Sequence, residues 1–339
     1  MQHNSSTGVR TYHQAVQPTV NFDYALSDDA LYAFYEKGKQ RQWDAATVVD
    51  WSRVGGRENP LALPLTAFPL ARSAWFGGLS DDRRQEVITH YQGWMVSQFL
   101  HGEQFGVLSA ARIALEAPGH ASKFFAAIQT VDEARHLEAY VRLTDRIGVR
   151  YGLSRPFGGF LDEVVVSPHL DVVYLGLQVI GEGIGLASFA QLRRHSADPQ
   201  IQTLYARIME DEARHVAFGR RYLKPLYADM SSADRTEREA FVIEACGLMD
   251  ERFRALEVWA KFGLSPEEAT AELERSASFK FYRKALFRQI IPVIRDIGLW
   301  GDEPRRFFET LGVASYADLE PIDETPPLED RRYGEAAPA

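Results

Sequence analysis

The sequence predicts an all-α fold, a four-helix bundle with further helices at both ends and charged side chains gathered in its interior. Three observations predict it. The five-residue word Asp132-Glu133-Ala134-Arg135-His136 recurs 79 residues later as Asp211-Glu212-Ala213-Arg214-His215. A lone glutamate precedes each copy at one distance, Glu103 lying 30 residues before Glu133 and Glu182 lying 30 before Glu212. All of these residues lie in long segments bounded by helix start and stop signals, Ser80-Asp81-Asp82, Pro118-Gly119 and Gly148 among them. The chain therefore carries a duplicated two-helix unit, each copy giving one Glu from its first helix and a Glu-x-x-His from its second.

Helix geometry turns this spacing into chemistry. Residues three apart share a helix face, so Glu133 with His136, and Glu212 with His215, can point at one object. Thirty residues are enough to finish a helix, turn and return to the same height. Four carboxylates and two imidazoles then face a common interior. Four like charges cannot be buried there without compensation, because desolvation and repulsion would protonate them. Two divalent cations supply it, and these oxygen and imidazole donors accept iron or manganese. Asp132 and Asp211 each stand four residues before a histidine, placed to accept its second N–H from their own or the facing helix. Arg135 and Arg214 are positioned to neutralise them.

The donor set resembles that of ferritin-like di-iron carboxylate oxidases and oxygenases over roughly residues 80–228. The D-E-x-R-H form is similar to hydroxylase α-subunits of bacterial multicomponent monooxygenases. E-D-E-A-x-H, read at residues 210–215, resembles the radical-generating subunit of ribonucleotide reductase. The resemblance to p-aminobenzoate N-oxygenases departs at Ile208, which stands where that group has an extra histidine one turn before its last glutamate. By motif, these resemblances imply Glu103, Glu133, His136, Glu182, Glu212 and His215 as ligands and catalytic centre, with Glu133 and Glu212 bridging. They imply two iron ions cycling between Fe2+ and Fe3+ (manganese being possible), dioxygen as co-substrate, and hydroxylation, N-oxygenation or desaturation of a small organic substrate. Tyr140, four residues after His136, resembles the radical tyrosine in its offset and implies the alternative of a radical-generating subunit. A non-enzymatic iron-binding ferritin-like protein is the third reading.

Composition bounds the rest. With 339 residues and 45% hydrophobic content the chain can bury a large core. A net charge of −9 without a basic stripe argues against nucleic acid as a partner. The single cysteine, Cys246, excludes an internal disulfide and a cysteine-ligated cluster, so electrons must come from a separate reductase or ferredoxin. No stretch reads as a membrane span or an apolar signal core. The expectation is a cytoplasmic protein, a homodimer, acting on a small molecule.

Taken in order, residues 1–20 read as a mobile arm and 21–312 as one helical domain around the metal-binding core at 80–228. A helix capped at Ser27 runs to Lys39. The stretch holding Trp43, Trp51, Pro60, Pro64 and Pro69 reads as irregular chain packed on the bundle, or as a lid. Core helices are expected at 81–117, 121–147, 169–195 and 199–227, with a crossover over 149–167. In the third of these, Gly181, Gly183 and Gly185 surround Glu182. Each disfavours the helix by ~1 kcal/mol relative to alanine, which predicts a local distortion of that helix, space beside the metals, or close helix packing. Gly106 echoes the pattern on the first helix. Gly106, Gly181, Gly185 and Phe189 are the candidate pocket residues, with Phe105, Phe124, Phe125 and Phe218 as further neighbours in sequence. A helix to Phe262, a capping box at Ser265-Pro266-Glu267-Glu268, and helices over 265–276 and 279–298 follow. The last of these carries Lys280, Arg283, Lys284 and Arg288, a solvated or docking face. Residues 313–339 read as an extended tail.

Overall fold

A computed structural model describes residues 9–13, 16–25, 29–55 and 58–322, and every regular element among them is helical. The expected cap at Ser27 and most of the expected tail lie outside the described residues. The core is two helical hairpins. The first is α3 (Asp81–Glu116) with α4 (His120–Ile147). Ser80 accepts a hydrogen bond from the Arg83 amide to start α3, and Gly148, at φ 73°, takes the left-handed conformation that stops α4. The second hairpin runs from α6 (Leu170–Tyr174) through a π-helical segment, Leu175–Gly181, into α7 (Glu182–His195), and returns as α8 (Pro199–Ala228). Asp198 caps α8 through the Gln200 amide, with Pro199 in the first turn, where its missing N–H is no loss.

The distortion expected beside Glu182 is this π segment, which ends at the residue before it. Widening one turn shifts every later side chain around the helix axis, and Glu182 is the first residue after the shift. The whole stretch Leu170–His195 is apolar enough to cross a membrane by composition alone, but 89% of its most apolar window is buried in the bundle, which makes it a core helix.

The other helices wrap the hairpins. Helix α1 (Asp29–Gln40) lies across α4 and α8, with Gly38 so close to Ile128 that a Cβ would sit 2.7 Å from its side chain. A short α2 (Ala74–Gly77) precedes α3. The crossover expected over 149–167 contains a helix that the sequence did not announce, α5 (Arg155–Val166), packed on α9 (Ser232–Arg252). The segment expected as one helix to Phe262 is broken after α9 at Ala255, a non-glycine residue at φ 50°, and resumes as α10 (Leu256–Lys261). Helix α11 (Pro266–Arg275) opens with the expected capping box, both of its hydrogen bonds being present. Helix α12 (Ala277–Asp296) packs on α7, and α13 (Asp302–Thr310), also unannounced, packs on α9. Arg283, on the basic end of α12, pairs with Glu274 at 3.0 Å.

Part of the arm expected to be mobile is tied down. Tyr12 donates to Asp162 at 2.6 Å, Arg10 pairs with the same carboxylate, and the Tyr12 ring meets Phe105 edge-on.

Candidate metal centre

Glu103 lies inside α3, Glu133 and His136 inside α4, Glu182 at the start of α7, and Glu212 and His215 inside α8. All six converge and none is more than 7% exposed. Two nests of donor atoms result, each with its atoms within 4.8 Å of one another: Glu103, Glu133, His136 and Glu212, and then Glu133, Glu182 and His215. Glu133 belongs to both. Glu212 also faces both imidazoles, one oxygen lying 3.2 Å from His136 Nδ1 and the other 3.8 Å from His215 Nδ1.

The two histidines are oriented crosswise. His136 Nε2 lies 3.1 Å from Asp211 on the facing α8, and His215 Nε2 lies 3.3 Å from Asp132 on α4. Arg135 bonds both Asp132 and, at 3.0 Å, Asp211. Arg214 bonds both Asp211 and, at 3.2 Å, Asp132. Burial opposes ionisation of Asp211, but His136 and the two guanidiniums outweigh it and hold the carboxyl far below its ordinary range. An ionised Asp only accepts, so His136 Nε2 must donate. Without metal, burial opposes the charge on His136, but Asp211, Glu103 and Glu212 outweigh it and raise the imidazole well above its ordinary range; in the neutral form that binds metal, Nδ1 carries the lone pair.

That lone pair lies 3.3 Å from a Glu103 oxygen and 3.2 Å from a Glu212 oxygen and forms no hydrogen bond with either. His215 Nδ1 stands in the same way 3.3 Å from Glu133 and 3.6 Å from Glu182. Glu182 Oε2 and Glu212 Oε2 are likewise buried without a partner. Buried acceptors that converge with no donor between them are costly unless a cation lies among them. The donor set therefore fits two metal ions. Without cations, burial pushes Glu103 and Glu182 well above the usual carboxylate range. Burial acts the same way on Glu133, but the neighbouring His215 outweighs it and holds that carboxyl down to about 2.

Several contributors were not singled out in the sequence. Gln129 donates to Glu182 at 2.6 Å and to Glu133 at 3.2 Å, and receives Gln178 at 2.7 Å. It sits one turn before Glu133 on the same face, a signal that was available. The 79-residue offset carries it onto Ile208, so the duplication is broken there. Trp43, from the segment read as irregular packing or a lid, donates to Asp211 at 2.7 Å and stacks on His136. Gln42 bridges Arg135 and Asp132.

A cavity of about 70 Å³ borders the nests, and Glu103, Glu133, Glu182 and Glu212 all reach its wall. Gly106, Gly181, Gly185, Phe105 and Phe189 line it, whereas Phe125 and Phe218 stack on each other elsewhere and Phe124 is 37% exposed. Gly183 serves packing, since a Cβ there would stand 2.6 Å from Ile290 on α12. Tyr140 is fully buried against Phe99, Phe189 and Tyr205, and its hydroxyl and that of Tyr205 interact with each other. Ser188 also lines the cavity. Its partner Tyr282, at 3.0 Å, lines a separate groove of about 540 Å³.

The profile of the family described as P-aminobenzoate N-oxygenase AurF matches residues 27–298. The chain belongs to this family. Membership makes it a di-iron oxidoreductase that activates dioxygen, an oxygenase or oxidase, which sets aside the non-enzymatic reading. Ile208, in place of the extra histidine, does not remove it from the AurF family. Solved structures show the same fold. An R2-like ligand-binding oxidase, as a glycine variant with an anaerobically reconstituted Mn/Fe cofactor, aligns with a TM-score of 0.51 at 16% identity over 83% of this chain and 96% of that one. A tyrosine variant with an aerobically reconstituted Mn/Fe cofactor aligns with a TM-score of 0.51 at 16% identity over 80% and 95%. No curated protein matches the chain. The ferritin-like, all-α expectation holds.

Proposed function

We propose that the chain N-oxygenates a small aromatic amine, with Glu103, Glu133, His136, Glu182, Glu212 and His215 as the metal ligands. The observation that supports this best is the apolar cavity walled by all four glutamates, in a chain of the N-oxygenase family. The balance is an amine R–NH2, dioxygen, two electrons and two protons giving R–NHOH and water. When bound, the iron pair supplies the reduction of dioxygen, which no side chain can perform.

The protein's own residues hold and shield. Glu103 and His136 would serve one ion and Glu182 and His215 the other, with Glu133 and Glu212 between them. Asp211 and Asp132 fix the imidazole tautomers, which keeps each Nδ1 free to bind metal. Gln129 steadies Glu182 in one orientation through its amide. Phe105, Phe189 and Ile184 keep bulk water from the carboxylates. About 70 Å³ is roughly half the volume of an engineered cavity that takes benzene, so an aromatic substrate must displace lining side chains to enter. Cys246, the one cysteine, is buried, and burial pushes its thiol up, so the two electrons come from a separate reductase or ferredoxin. A cytoplasmic homodimer with residues 21–312 as one domain completes the reading.

The test is to load the protein with ferrous iron without oxygen, count the metal, and add 18O-labelled dioxygen with an electron donor and an aromatic amine. Two irons per chain and one labelled oxygen on nitrogen are expected. Label on carbon, or a desaturated product, would replace N-oxygenation by that reaction. The full burial of Tyr140, four residues after His136, favours a second reading, radical generation. A persistent tyrosyl signal by electron paramagnetic resonance, lost in Tyr140→Phe, would establish it.

A further inference from the structure

The groove lined by Tyr282 lies outside the metal centre, between the 63–73 segment, the last turn of α7 and the junction of α11 with α12. Its mouth opens to solvent at Ala67, Ala277 and Phe281, a phenylalanine 61% exposed. Met95, Leu192 and Phe279 deeper in it are buried. The cavity beside the glutamates is the opposite case, since no residue of its wall is exposed. Binding sites for small molecules enclose about 300–1,000 Å³. The groove, at about 540 Å³, falls in that range, and the cavity, at about 70 Å³, does not.

The two spaces share a partition. On α3, Met95 lines the groove and Phe99, one turn later, lines the cavity. On α7, Leu192 lines the groove and Ser188, one turn earlier, lines the cavity. Between these two helices the partition consists of side chains. Phe99 meets Phe189 edge-on at 5.0 Å, and Tyr282 is tied to this layer by the hydrogen bond from its hydroxyl to Ser188. Rotamer changes can open such a layer without moving a helix. The chemistry of the groove suits an uncharged ring, because Tyr91, Phe279, Phe281 and Tyr282 offer aromatic faces and edges. Gln191 adds an amide that can accept from an amino group.

We propose that this groove is a second binding site, which holds an aromatic amine before it reaches the iron centre, and that Tyr282 swings away from Ser188 to let the molecule through. This rests on the N-oxygenase reading for the identity of the ligand and adds where the ligand first binds. The outer site collects the substrate, and the closed partition keeps bulk water from the carboxylates between passages. Tyr282 is a gating residue and takes no part in moving electrons or protons.

The test is photolabelling of the oxidised, iron-loaded protein with 4-azidoaniline, mapped by mass spectrometry. Label is expected on groove residues, Phe281 and Ala277 among them, and an excess of aniline should suppress it. Ala67→Trp, which fills the mouth from an exposed position, should abolish that label. It should also lower kcat/KM for N-oxygenation of aniline at least about tenfold with kcat unchanged, because only the approach to the centre is obstructed. Tyr282→Phe, which removes the hydrogen bond to Ser188, should raise kcat/KM about two- to tenfold. Iron content and helix content report whether each variant is folded, and Ala277→Trp at the other lip replaces Ala67→Trp if that variant does not fold. No label in the groove, label that aniline does not displace, or kcat/KM unchanged in either folded variant would overturn the proposal. Displaceable groove label, lost in Ala67→Trp, with no oxygen transferred to nitrogen would sink the N-oxygenase reading and leave the binding site standing. N-oxygenation with unchanged kcat/KM in folded Ala67→Trp would do the reverse.

Discussion

At the scale of single residues, the site is a set of exchanges between facing helices. His136 leans on Asp211 and His215 on Asp132, each across the bundle. Asp211→Asn removes the ionised acceptor that fixes the His136 tautomer and leaves two guanidiniums undercompensated. Iron affinity should fall about 10–100-fold, read by competition with a chelator. Unchanged affinity would reduce Asp211 to a structural counter-ion for Arg135 and Arg214. Gly106 is the second case. A Cβ there would stand 2.5 Å from Glu133 Oε2, so Gly106→Ala must displace a proposed ligand, while Gly119, with nothing within 4 Å, provides the control. Gly106→Ala should retain fewer than two irons per chain and Gly119→Ala both; two in each would show that Glu133 can swing aside. The six proposed ligands and the aspartates were legible because helical spacing and an exact repeat bring them forward. Trp43 and Gln42 were not, because nothing periodic connects them to the repeat. Only tertiary packing does.

Among the elements, the long helices follow their sequence signals to within about two residues, because caps, acidic first turns and glycine stops act locally. The π segment was legible as a cluster of glycines, though its register was not. Helix α5 was missed because Gly158 and Gly159 lie inside it, and only burial of Phe157, Phe160 and Val164 offsets their low propensity. This helix also supplies a pH-dependent contact. Burial, then the neighbouring Glu244 carboxylate on α9, push Glu163 up to about 7. The folded state therefore holds a proton that the unfolded chain, with an ordinary carboxylate near about 4.3, releases earlier. That contribution is full at low pH and is lost as pH rises from there through about 7. Melting measured at pH 5.5 and 8 should show a drop that Glu163→Gln abolishes. Solvent screening at this half-buried pair keeps the effect to about 1 kcal/mol or less. A drop that persists in the variant would place the titrating group elsewhere.

The whole molecule is two hairpins whose facing surfaces meet at a charged centre flanked by aromatic contacts, Phe99 on Phe189 and Phe125 on Phe218. Each hairpin packs far more extensively within itself than against the other, and the facing surfaces bring together Glu103 and Glu133 from one with Glu182 and Glu212 from the other. Global arrangement was only partly legible. The bundle follows from the repeat, whereas the docking of residues 10 and 12 on Asp162 and the layer formed by α9–α13 depend on packing that no local signal encodes. The consequence is a stability that depends on metal. Ions that bind the folded chain and not the unfolded one stabilise it by mass action, about 4 kcal/mol per site at a thousandfold excess over the dissociation constant. Calorimetry of the protein stripped with a chelator, then reloaded with ferrous iron under nitrogen, should raise the melting temperature by several degrees, increasingly with free iron. Glu133→Ala or Glu212→Ala should blunt the rise, because each removes a carboxylate placed between the two nests. Zinc, which shares the charge and many of the ligand preferences but undergoes no redox chemistry, should stabilise as well. Such a result would assign the effect to charge compensation at the hairpin interface. A melting temperature indifferent to iron and zinc would mean that the hairpins are held by their apolar contacts alone, and that the four glutamates tolerate burial as protonated acids.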